Sequence, residues 1–231
     1  MFKKLFVIAI VAGFAVLLWS YLRHYTERTT LNDLSTYYVD NTAQEIGAAN
    51  VVTAIVVTYR GFDTLGEVTI LFVAASLIAM FLKSMGTEKS RNPRPASLIL
   101  VTAQKLLFPL ILIFGVYIFI NGHLTPGGGF QGGSVIATGF LLWLMANPDG
   151  HAPKGLLNTI ESISGFGYVA AGLFGLALGL GFLDNRFLGL GTLGHLFSAG
   201  VIPIIYSFIG LKVGAELSNV LHHLNEIQNE E

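Results

Sequence analysis

Apolar residues run along this chain in six long blocks separated by shorter polar stretches. The blocks are Phe2–Leu22, Thr64–Leu82, Ser97–Ile120, Phe130–Ala146, Ile163–Leu183 and Leu190–Leu211, the last with a possible extension to Leu217. A bilayer crossing takes roughly 20 apolar residues in a helix. The pattern therefore predicts an all-α, polytopic membrane protein with about six transmembrane helices. A seventh apolar run, Asn50–Tyr59, is too short to span. It reads as a short interfacial or re-entrant helix, or as a β-rich surface segment. The first block follows Lys3 and Lys4 as a secretory signal would. Trp19, Ser20, Tyr21 and Leu22 stand where a small-residue cleavage site belongs, so an uncleaved anchor is expected.

Composition agrees with this picture. Of 231 residues, 53% are hydrophobic and only 12% charged, with a net charge of −1. Soluble domains carry about 25% charge. The charge balance gives no electrostatic footprint for nucleic acid. There is no cysteine, which excludes disulfides and thiolate-bound zinc or iron–sulfur centres.

Positive charges in short loops set the expected orientation. Lys83, Lys89, Arg91 and Arg94 cluster between the second and third blocks, and Lys154 follows the fourth. Both termini then fall on the cytoplasmic side of the cytoplasmic membrane. The opposite side holds Arg23, Arg28, Arg60 and Arg186, diluted by acidic residues. The basic, proline-interrupted segment at 84–95 divides the chain into a two-span unit, 1–83, and a four-span unit, 96–231.

Few ionisable groups fall inside the blocks. Glu67 lies about one turn into the second, where a carboxylate is functional by default unless it snorkels to water. Lys105 is deeper and reads as the only buried charge of its block. Pro109 removes the amide that would bond the Lys105 carbonyl. Proton relay and pairing with a neighbouring subunit both remain open for this lysine. His195 opens the predicted sixth span, where Pro203 would free the Ala199 carbonyl. It is an interfacial histidine or a relay. His222 and His223 sit in what reads as a solvated polar tail. Gly165, Gly172 and Gly179 recur every seven residues, and Gly175–Gly179 forms a GxxxG pair. Both mark a packing seam.

Between the third and fourth blocks lies NGHLTPGGGFQGG, with His123 its one ionisable residue. Interior glycines disfavour a helix. Irregular backbone at membrane depth needs protein or water around it. His123, Pro126, Gly127, Gly128, Gly129, Gly132 and Gly133 are therefore expected to form a structural loop. No acidic residue accompanies His123, so a metal site is not expected. No GK[ST] follows the glycines, so they do not form a phosphate cradle. The chain shows no catalytic constellation and is not expected to be an enzyme or to bind a cofactor.

The stretch NGHLTPGGGFQGGSVIATGFLLW, with Lys105 and Pro109 before it, resembles the B subunit of Mrp-type multisubunit sodium/proton antiporters over roughly residues 96–220. NVVTAIVVTYRGFDTLGEVTILFVAA, at 50–75, resembles the C-terminal tail of the A subunit. That tail is a separate small subunit in membrane-bound hydrogenases and sulfane reductases. The resemblance implies a non-catalytic subunit that works with other membrane subunits of an antiporter or a redox-driven complex. Na+ or H+ would be the transported ion. It makes Glu67 and Lys105 pathway candidates, with His195 a weaker one, and the glycine loop a turn packed on other subunits. It makes Arg60 and Asp63 an interfacial pair that sets helix entry.

Overall fold

A computed structural model describes residues 2–25, 29–85, 95–148, 150, 153–178 and 180–230. Most of the basic linker, including Lys89, Arg91 and Arg94, lies outside these residues, as do Arg28 and Gly179. Eight α-helices and no strand occur among the described residues: α1 (Phe2–Arg23), α2 (Asp33–Glu45), α3 (Val51–Ala54), α4 (Gly61–Met85), α5 (Leu98–Ile120), α6 (Gly129–Ala146), α7 (Lys154–Ala177) and α8 (Ile202–Glu230). A π-helical turn, Ile55–Tyr59, joins α3 to α4, and a 3₁₀ turn, Asn185–Leu188, lies between α7 and α8. Six helices are long and apolar enough to span a bilayer: α1, α4, α5, α6, α7 and α8. The protein is thus a multi-pass, all-α membrane protein.

Packing separates residues 1–37 from residues 38–231. In the first unit, α1 exposes apolar side chains along its length, among them Phe6, Phe14 and Trp19. The Arg23 guanidinium lies 5.6 Å from the centre of the Trp19 ring. The second unit is built around α8, which packs against α4, α5, α6 and α7. Its core gathers Val57, Val68, Tyr168, Leu183, Ile202, Ile205, Ile209 and Val213.

Local signals start several helices. The Ser97 side chain accepts from the Leu100 amide at 3.2 Å and caps α5. The Asn50 side chain caps α3 by accepting from the amides of Val52 and Thr53. Arg60 and Asp63 pair at 2.5 Å at the start of α4, as expected. The short apolar run at 50–59 is helical.

Two expectations fail. The glycine stretch is a loop only as far as Gly128; Gly129, Gly132 and Gly133 lie within α6. The helix accepts them because their missing side chains admit neighbours on both flanks. A Cβ on Gly132 would lie 2.5 Å from the Gly115 carbonyl of α5, and one on Gly133 would lie 2.7 Å from Val213 Cβ of α8. Close contact across these seams offsets the poor helix propensity.

The second failure concerns the last two spans, which are displaced along the sequence. The fifth is Lys154–Ala177 rather than 163–183, and the sixth begins only at Ile202. After α7 the chain doubles back, and the Leu183 amide donates to the Gly172 carbonyl at 3.3 Å. Gly172 thereby receives the Phe182 ring, and Gly175 the Gly181 carbonyl. The apolar stretch at 185–201 is mostly irregular. Gly200 there has φ +60°, and any side chain on it would collide with the Asn185 carbonyl. Pro203 falls in the first turn of α8, where a missing amide costs nothing.

Candidate functional site

Two polar regions stand out. The first is woven from residues 46–59, 121–128 and 183–201. The Asn50 amide donates to the His123 carbonyl at 3.0 Å. The Asn50 side-chain amide donates to the carbonyls of Gly122 and Thr125 at 2.9 and 3.0 Å. The Thr53 hydroxyl donates to Gly122 at 2.6 Å and accepts from the Tyr206 hydroxyl at 3.1 Å. Asn185 ties this end together by donating to the carbonyls of Ile46 and Ala199. Within this chain the loop's neighbours are thus the segments around Asn50, His195 and Tyr206.

His123 is fully buried in this network. Its Nε2 lies 3.4 Å from the His195 carbonyl, which assigns the ring proton to Nε2. Nδ1 has no partner. Burial holds the His123 pKa below the ordinary histidine range, against backbone hydrogen bonds that favour the charged form. The ring is therefore a neutral donor near pH 7. His195 itself is an exposed residue of the irregular segment, and it meets His123 only through its carbonyl. Nearby, the Arg186 side chain holds the Asp184 carboxyl below the usual carboxylate range.

The second region lies at membrane depth, and sequence reasoning missed it. Lys212 and Glu216 stand one turn apart on α8, only 8% and 2% exposed. Lys212 Nζ is 3.3 Å from Glu216 Oε2 and 3.9 Å from Glu161 Oε1 of α7. It also sits 4.7 Å from the centre of the Phe72 ring of α4. Gly165 makes room for the lysine stem: a Cβ there would lie 3.6 Å from Lys212 Cδ. Asn219 donates to Glu161 Oε2 at 3.2 Å and to Asn158 Oδ1 at 3.0 Å. Glu216 Oε1 is buried without a partner.

Two cavities flank this cluster in the groove between α4 and α7, with α8 as its floor. One, of about 300 Å³, reaches Leu65 and Phe72 of α4, Glu161 and Tyr168 of α7, and Lys212. The other, of about 150 Å³, reaches Ser76, Asn158, Glu161, Glu216, Asn219 and His223. Residue numbers thus rise together along α4 and α8 and fall along α7. Groups that can carry charge or hold water are aligned along much of the groove.

The expected pathway residues do not line these cavities. Glu67 is exposed on α4 and lines neither cavity. Lys105 is exposed on α5 within this chain. It turns outward because α5 presents Gly115 to α6 and Phe119 to α6 and α8. His222 is 1% exposed within α8, so the helix stays in the core as far as His222 rather than becoming a solvated tail. The missed signal was Lys212-x-x-x-Glu216, an i,i+4 pair set among Val213, Gly214, Ala215 and Leu217.

Six apolar spans, three of which line a charged groove in the second unit, mark an integral membrane protein rather than a soluble domain. Residues 99–219 match the family model described as a domain related to the MnhB subunit of Na+/H+ antiporter, and the chain belongs to that family. Residues 3–96 match the model for the E subunit of MBH. An uncharacterised protein of Methanocaldococcus jannaschii is 32% identical over 194 residues, 73% of this chain and 74% of that one. The B subunit of the Na(+)/H(+) antiporter of Bacillus subtilis is 36% identical over 110 residues, 47% of this chain and 71% of that one. A chain of the membrane-bound sulfane sulfur reductase, an archaeal respiratory membrane complex, superposes with a TM-score of 0.82 at 41% identity. The match covers 97% of this chain and 98% of that one.

Proposed function

We propose that this chain is a non-catalytic subunit of a multisubunit membrane complex that moves Na+ or H+ across the cytoplasmic membrane. It shapes part of the ion path and holds neighbouring membrane subunits. The observation that carries this reading is the Lys212–Glu216–Glu161 cluster, with cavities on both sides, inside membrane-spanning helices. Ionisable groups at that depth are expensive and mark ion or proton routes. Glu67 and Lys105 face outward, so their contribution is made against partner subunits. His195 sits at the woven end, and both termini lie on the cytoplasmic side. The chain binds no cofactor of its own; the ion is cargo.

Two parents fit, a stand-alone antiporter and a redox-driven respiratory complex. Near-complete coverage at both ends of the sulfane reductase chain favours the second. The test is cation-coupled proton movement in inverted membrane vesicles carrying the whole complex. Glu216→Gln and Glu67→Gln should each abolish it while native gels show full assembly. Undiminished transport in both variants would overturn the proposal.

A further inference from the structure

The cluster in the α4–α7 groove does not balance its charge. One ammonium, Lys212, faces two carboxyl groups, Glu161 and Glu216, and with all three ionised a net negative charge would remain within the spanning helices. An uncompensated buried carboxylate is strongly disfavoured. Lys212 cannot serve both acids equally, since Nζ stands at 3.3 Å from Glu216 and 3.9 Å from Glu161. The free oxygen, Glu216 Oε1, belongs to a side chain that is 2% exposed and lines the smaller cavity.

We infer that the smaller cavity is a binding site for one exchangeable univalent cation, held by Glu216 and Glu161. The inference deepens the ion-path reading and rests on it only for the cation's physiological role. The donors are of the right kind. Ser76, Asn158, Glu161, Glu216 and Asn219 offer hard oxygen atoms, and no sulfur lines the cavity. At about 150 Å³ the space admits an ion with part of its water shell.

Among the described residues, the ionisable groups nearest the site come from α7 and α8; the His222 ring lies beside that of His223, and Glu67 of α4 acts on Tyr168. Glu161 comes from α7, and Lys212, Glu216 and His223 come from α8. The α4 wall supplies Ala75, Ser76 and Ala79, none of which ionises. Tyr168 lines the larger cavity on the far side of Lys212. A cation arriving at Glu216 would compete with the ammonium and push it toward Glu161. Lys212 is then a tethered cation that opposes loading and drives release.

The test uses the purified membrane complex with the full chain. Radioactive sodium should bind at alkaline pH, and Glu216→Gln and Glu161→Gln should each abolish binding with the complex intact on a native gel. Lys212→Met should bind at least about tenfold tighter, because the competing charge is gone. If sodium does not bind, a protonated-carboxyl infrared band that titrates in wild type and vanishes in Glu216→Gln would identify the cation as a proton. The inference is overturned if wild type shows neither signal, or if Glu216→Gln keeps whichever signal wild type shows. It is also overturned if the Gln variants shed a partner subunit, since the missing positive charge would then be the partner's. Vesicle transport by wild type separates the two claims. Binding without transport refutes the functional reading alone, and transport with unchanged binding in Glu216→Gln refutes the site alone.

Discussion

The two faces of α8 solve opposite problems with the same helix. One face presents Gly210, Val213 and Gly214 to α6, and a Cβ on Gly133 would lie 2.8 Å from the Gly210 carbonyl. The other presents Lys212, Glu216 and Asn219 to a groove that keeps open space beside them. The first face gains its stability from contact too close for side chains. The second carries charges that contact alone cannot satisfy and leaves room for something mobile. Rigid packing on one side lets the charged side stay loosely filled without losing its geometry. Lys105 gives a third case, a lysine within a span with no ion pair among the described residues. It is the eighth residue of α5, about 10 Å along the axis.

The contrast can be broken most sharply at Lys212. In sodium-free buffer, Lys212→Ala leaves Glu216 buried beside a second carboxylate and should cost about 3–5 kcal/mol. Denaturant unfolding of the purified protein in detergent reads this directly, and unchanged stability would erase the difference between the faces. A smaller loss, about 1–3 kcal/mol, is expected for Gly133→Leu, which forces α6 away from α8. Gly66→Ala is its control, since a Cβ there meets nothing within 4 Å. That change should be neutral or stabilising by up to about 1 kcal/mol.

Lys105→Met should shift the unfolding of the isolated chain by no more than about 0.5 kcal/mol. Its effect should appear instead as weaker retention of a partner subunit on native gels. A large loss in the isolated chain would mean that Lys105 has a partner within it.

The smallest expected effect is local and lies at the woven end. The folded-state pKa of His123 is below its unfolded value, so the unfolded chain binds the proton more readily. Its contribution to stability is complete above the ordinary histidine pKa of 6.5 and is lost as pH falls through that value toward the folded pKa. Protection factors at Gly122 and Leu124, taken against the intrinsic exchange rates, should fall on acidification below about pH 6.5. His123→Gln should remove the pH dependence, and an unchanged pH profile in that variant would refute the role given to His123.

The legible parts of this protein were those written in local pattern. The starts of α5 and α6 appeared within one residue of the apolar blocks, and the family resemblance implied the pairing of Arg60 with Asp63. The boundaries of α7 and α8 could not. The part of 185–201 from Leu190 reads as the start of a span, yet the segment folds into turns with Gly189, Gly191, Gly194 and Gly200 all at positive φ. Hydropathy measures avoidance of water and is blind to backbone conformation. Here the glycine spacing and Pro203 carried the better signal. The groove was hidden because its charges come from helices distant in sequence, and Lys212 and Glu216 looked like the beginning of a polar tail.

The sequence by itself determined that helices cross the membrane and how many there are. A backbone in hydrocarbon must satisfy its own hydrogen bonds, and six apolar blocks leave few other solutions. It also determined the family, through the glycine stretch. Only the tertiary structure decided which charges are buried and with whom. Whether a lysine faces outward, as Lys105 does, or sits between two glutamates, as Lys212 does, depends on which helix faces meet. The glycine seams settle that choice by setting how closely each pair of helices can approach.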